Sequence, residues 1–109
     1  MAAITVQQIS TSGLTPVVGV AAGASGDTII NNGRTYIEIE DTGTTAPTVT
    51  IAGQVTCNQG STHNIVVAVA SGGTEYIGPF NPNWYNNSDG SIEVSYSSET
   101  DVTIRAFTL

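Results

Sequence analysis

Ile92, Val94 and Tyr96 alternate with Ser91, Glu93, Ser95 and Ser97, and the alternation resumes as Val102, Ile104 and Ala106 against Asp101, Thr103 and Arg105. A period of two marks a strand with one buried and one wet face. Two such runs separated by Ser98, Glu99 and Thr100 predict an antiparallel hairpin. With residue 97 opposite residue 101, Tyr96 faces Val102, Val94 faces Ile104, Ile92 faces Ala106, and Glu93 meets Arg105 on the other face. Apolar side chains then pair with apolar ones and unlike charges meet.

The rest of the chain carries the same kind of signal. Ile4 to Ile9 reads as a first strand with a phase slip, since Ile4 and Val6 share a face and Ile9 falls on the other. A bulge does this, as does a segment that leaves its sheet to meet another chain. An apolar stretch, Val17 to Ala22, precedes the loop Gly23 to Gly26. Ile29 and Ile30 run into Asn31-Asn32-Gly33, and Asn-Gly is a strong hairpin turn signal. Beyond it, Arg34 to Asp41 predicts a strand with Thr35, Ile37 and Ile39 on one face and Tyr36, Glu38 and Glu40 on a face turned to water.

Val49 and Ile51 form one face of a further strand, and Asn58 to Thr62 a loop. Ile65 to Ala70 is apolar on both faces, which predicts burial on both, in a sandwich or partly by another subunit. Glu75 to Gly78 is a short strand ended by Pro79, because proline cannot donate to a central ladder. Eight or nine short, mostly antiparallel strands at this spacing, with no substantial helix, predict an all-β fold: a single-domain β-sandwich or jelly-roll-like architecture. Residues 1–15 are read as an N-terminal arm and first strand, and residues 16–109 as the sandwich.

Composition supports this class. Isoleucine and valine outweigh leucine, which occurs only at Leu14 and Leu109, and Thr, Ser, Gly and Asn fill much of the remainder. At 109 residues the chain can bury roughly 65% of its unfolded surface in one core. Charge is sparse and one-signed: nine acidic residues against Arg34 and Arg105, without lysine, for a formal net charge of -7. Two distant arginines cannot form a phosphate-neutralising cluster, so nucleic acid is not expected as a partner. The acidity also disfavours an anionic membrane surface, and no apolar run approaches the roughly 20 residues of a spanning helix. The start, MAAITVQQIS, lacks a basic n-region and an apolar h-region. A mature chain whose signal had been removed would look the same.

Candidate chemistry is thin. Cys57 is the only cysteine, so no intrachain disulfide can form, and it reads as a small buried or half-buried thiol. Cys57 and His63 supply two of the about four ligands that zinc takes, so neither a metal site nor a cofactor is expected. His63 reads as an ordinary hydrogen-bonding loop residue, outside any G-x-S-x-G elbow. Glu38 with Glu40, and Glu99 with Asp101, share strand faces and read as solvated rather than as a glycosidase pair. Gly23 to Gly26 has no following lysine and no helix to make a phosphate cradle. The expectation is a protein that is not an enzyme.

Two features exceed what a minimal sandwich needs. Adjacent aromatics, Trp84 and Tyr85, lie amid amides in Asn81-Pro82-Asn83-Trp84-Tyr85-Asn86-Asn87. They can cap one end of the sandwich, anchor a protein interface, or stack on a sugar. The N-terminal stretch, with Ile4, Val6, Gln7, Gln8 and Ile9, suits an arm that adds a strand to a neighbour.

The runs TVQQIS followed by GLTP, then NNGRTYIEIE, CNQGSTHNIVVAV and IGPFNPNWYNNSDGSIEVSYSS, resemble a group of small bacteriophage and prophage virion proteins, the head decoration or cement proteins. The resemblance covers nearly the whole chain and rests on turn and strand signatures, so it transfers no functional residue. It implies an all-β protein, made in the host cytoplasm, that binds the outer surface of the capsid as a trimer or dimer. There it would clamp neighbouring major capsid protein subunits against internal DNA pressure. An acidic, lysine-free surface of hydroxyls and amides is compatible with staying soluble and ignoring DNA. Within that expectation, Ile4, Val6, Gln7, Gln8 and Ile9 are candidate capsid contacts, and Ile65, Val67, Val69, Trp84, Tyr85, Phe107 and Leu109 are candidate interface residues. A phage tail or collar component and a carbohydrate-binding module are the alternatives.

Overall fold

The structure, a computed structural model, describes residues 2–109. Its strands are β1 (Ala2–Ile4), β2 (Val6–Gln8), β3 (Val20–Ala21), β4 (Asp27–Ile30), β5 (Thr35–Asp41), β6 (Thr48–Ile51), β7 (Ile65–Ala68), β8 (Thr74–Ile77), β9 (Ser91–Tyr96) and β10 (Val102–Thr108). One helical turn, α1 (Pro82–Tyr85), lies between β8 and β9. The strands form two five-stranded sheets: β1-β4-β9-β6-β7, and β2-β10-β5-β8 with β3 also on β10. Most pairs are antiparallel, but β1 runs parallel to β4 and β2 parallel to β10. The all-β sandwich expected from the sequence is therefore present, with ten strands where eight or nine were expected.

The core lies between the sheets. Ile29, Ile92, Val94, Val49 and Ile51 of one sheet, and Ile37, Ile39, Ile104 and Ala106 of the other, are at most 1% exposed. Apart from Ile29, whose neighbour Ile30 is equally apolar, these inward positions follow from the period-two pattern, because each apolar side chain gains about 25 cal/mol per Å² only on the face that meets the other sheet.

The pairing partners differ from the sequence expectation. β9 and β10 do not form a hairpin: β9 lies between β4 and β6, and β10 lies beside β5 in the opposite sheet. The link between them is an arch, with Asp101 at φ 58° and its carbonyl oxygen accepting from the backbone N–H and the hydroxyl of Thr42. Alternation dictates which face is buried, and an arch and a hairpin satisfy it equally. Long-range pairing decides: β10 matches β5 over seven residues, from Val102 opposite Asp41 to Thr108 opposite Thr35. Arg105 accordingly meets Glu38, at 2.6 Å, and not Glu93, which accepts from the Gln54 amide. Phe107 stacks on Tyr36 with ring centroids 5.4 Å apart.

The Asn31-Asn32-Gly33 turn is likewise an arch between sheets, from β4 to β5. Asn31 is buried, and its amide donates to the Phe80 carbonyl (3.0 Å) and the Asn86 side chain (2.7 Å), while Asn86 donates back to the Asn31 carbonyl (3.0 Å). The amide side chain thus serves a distant loop as well as its own turn. The phase slip near the N-terminus has a comparable origin. The chain leaves one sheet after Ile4 and enters the other at Val6, closing one side of the sandwich. It crosses within its own molecule, and no second chain is needed to explain the slip.

Glu38 also departs from expectation. It is only 9% exposed, because Arg105 and the Tyr76 hydroxyl (2.7 Å) bond its carboxylate on the outer face. Arg105 in turn donates to the Val17 carbonyl, and the Val17 N–H donates to the Gln7 side chain, so residues 9–19 are pinned beside this face.

Candidate interaction site

The loop from β6 to β7 and the turn α1 place two segments side by side. Gln54 N–H donates to the Trp84 carbonyl at 2.8 Å, continuing the line of β6 past its end. Asn81 caps α1 by accepting from the Asn83 N–H, and Pro82 stands where a helix's first turn has no use for an N–H. The Asn31–Asn86 amide pair fixes the other end of this turn. Tyr85 packs half-buried against the core, whereas Trp84 stays 59% exposed. Thus Tyr85 caps the sandwich and Trp84 faces outward.

Trp84 and Tyr85 border a cleft of about 320 Å³ with Val55, Thr56, Cys57 and His63. Cys57 heads a tight turn in which its N–H donates to the Ser61 carbonyl and its carbonyl accepts from the Gly60 N–H. The thiol is half-buried, as expected, and its pKa is pulled down to about 7. The backbone N–H of Gln59 is the main cause, 3.4 Å from Sγ, followed by the His63 side chain and the Ser61 N–H. The cleft can therefore present a partly ionised sulfur beside an imidazole and an indole. Among the described residues no group of three or more His, Cys, Asp or Glu side chains is placed to hold a metal ion. The sequence brings Cys57 and His63 together only as too few ligands for zinc, and a loop of unknown path gives no sign that Trp84 joins them.

The other candidate residues are dispersed. Ile4 is a core residue, 5% exposed, and Val6 packs against the core. Gln7 holds Val17, Gln8 is exposed, and Ile9 lies half-buried near Leu14, Pro16 and Phe107. All but Ile9 lie in strands of the two sheets rather than in a detached arm. Val69 is 1% exposed, and Ile65 and Val67 are half-buried against the core. Val66 on the same stretch is 62% exposed, so Ile65 to Ala70 is covered on one face only within the protein. Phe107 is buried by its own chain at 5%, and Leu109 is 63% exposed beside Tyr36, Tyr76 and Pro79.

The chain matches no protein-family model, no curated protein and no solved structure.

Proposed function

We propose that this protein is a non-enzymatic virion component, a decoration or cement protein that binds the outer surface of a phage head and stabilises contacts between major capsid protein subunits. The observation that carries the reading is the braced, outward-facing Trp84, with Val55 (52% exposed) beside it in the cleft wall. A large aromatic held by a capped turn and an amide pair loses little freedom on docking, and tryptophan is prominent among interface hot spots. The net charge of -7 adds solubility and disfavours the packaged nucleic acid as a partner. Repeated copies, whether dimers or trimers, multiply modest contacts through effective concentration.

Cosedimentation of the purified protein with undecorated, expanded capsids tests this reading. Saturable binding and a raised capsid rupture temperature are expected, and Trp84→Ala should weaken binding at least about tenfold with its circular dichroism unchanged. No binding to capsids by the unaltered protein overturns it. Deletion of residues 2–10 is not a clean test, since it removes Ile4 from the core and a strand from each sheet. A second reading, glycan binding on a tail or a secreted module, draws on Trp84 standing among Asn81, Asn83 and Asn86. It predicts loss of a hit in a glycan screen for Trp84→Ala.

A further inference from the structure

The sheets end in strands that differ sharply in how they are protected. β1 is three residues long, and β2 and β3 divide one side of β10 between them in pieces of three and two residues. β8 is guarded: Glu75 lies opposite Ile39 on the inward-facing side, and the strand is followed by Pro79. Short edges, inward-pointing charge and proline are the devices that prevent strands from pairing with another chain. β7 is also short, at four residues, but carries neither charge nor proline. Its four residues, Ile65, Val66, Val67 and Ala68, are all apolar.

The backbone of β7 is also open. Val69 N–H donates to the Pro47 carbonyl at 2.9 Å. Period two then turns Val67 and Ile65 toward β6, in register with Val49 and Ile51, and turns the N–H and C=O of Val66 and Ala68 away from it. β7 is the last strand of its sheet, so among the described residues no strand receives those groups. Both side chains are exposed.

What fits this edge is a second copy. Self-association of a chain of charge -7 is opposed by repulsion over most of its surface, yet residues 53–73 contain no Asp, Glu, Lys or Arg. We infer that β7 pairs antiparallel with β7 of a second copy, across a two-fold axis at Val67, to join the two five-stranded sheets into one. Val66 of one copy then lies opposite Ala68 of the other, large against small, and about four backbone hydrogen bonds form between them. On the inner face the two Val67 side chains meet as a non-hydrogen-bonded pair and complete the burial that each lacks alone. The inference stands on the sheet edge and does not depend on the capsid reading.

The test uses the purified full chain alone: mass by sedimentation velocity across a concentration series, with amide hydrogen exchange. The expected result is a shift with concentration from 11.2 kDa to twice that mass, with slowed exchange at Val66 and Ala68 in the heavier species. Val66→Lys and Ala68→Pro, both at outward-facing positions that spare the β6 ladder, should each lower the association constant at least about tenfold. Thr74→Lys, at an outward-facing position of β8, should leave it unchanged. A monomer at every soluble concentration, a trimer, or a dimer that persists in both β7 variants would overturn the inference. So would a dimer in which the Val66 and Ala68 amides exchange freely.

Discussion

Tyr96 donates its hydroxyl to Oδ2 of Asp27 at 2.7 Å, and Asp27 is fully buried. The same oxygen accepts from the Gly23 N–H at 3.0 Å, while Oδ1 has no hydrogen-bond partner among the described residues. Tyr96→Phe keeps the ring that packs on the core and removes only the donor. A hydrogen bond to a charged group is worth about 1.5–3 kcal/mol, and its loss leaves a buried acceptor poorly satisfied, so a destabilisation of about 2 kcal/mol is expected. For a domain of this size that lowers the melting temperature by roughly 8–10 °C. Burial first, and then the bond to Asp27, raise the Tyr96 pKa far above its ordinary value. The folded protein therefore holds this proton where the unfolded chain has released it. The stabilisation is complete below the unfolded value of about 10 and is lost as pH rises beyond it. Urea unfolding followed by far-ultraviolet circular dichroism, in parallel for both proteins, checks both points. The stability gap should be constant at neutral pH and shrink above about pH 10. A phenylalanine variant as stable as the parent at neutral pH would refute the role assigned to this bond.

Two further expectations follow from other polar clusters. Glu38→Gln removes the ionic partner of Arg105, whose side chain is 29% exposed, and should cost about 1–2 kcal/mol in urea unfolding after allowance for solvent screening. Because the Glu38 bond is the main cause of the raised Tyr76 pKa, the Tyr76 titration measured by ultraviolet absorbance should fall back toward the ordinary tyrosine value in the same variant. Cys57 should react with iodoacetamide along a pH profile whose midpoint is near 7, and His63→Ala should move that midpoint upward. A midpoint at the ordinary thiol value in the parent protein would show that the Gln59 N–H and His63 do not act on the sulfur.

The candidate site was legible in its parts and not in its assembly. Trp84 and Tyr85 stand out in the sequence as aromatics among amides, but only the path of α1 turns one outward and the other inward. Cys57 and His63 look inert as isolated residues. They acquire a shared environment because the Cys57–Ser61 turn folds the loop back, with Thr56 bridging to Thr62. Phe107, read from the sequence as a candidate interface residue, is instead buried within its own chain, stacked on Tyr36.

By itself the sequence determined the class of fold and nearly all of the inward-facing side chains. Alternation is a local property, and burying Ile37, Ile39, Val49, Ile51, Ile92, Val94 and Ile104 on one face requires only that some second layer exist. Which strands become neighbours was decided by tertiary structure. The β9–β10 and β4–β5 links look like hairpins locally but are arches, because seven paired residues between β5 and β10, with the Glu38–Arg105 bridge among them, outweigh what a short turn can specify. The unguarded edge at β7 is of the same kind. A run of apolar residues states that both faces avoid water, and only the sheet order reveals that one row of its backbone groups is still unpaired.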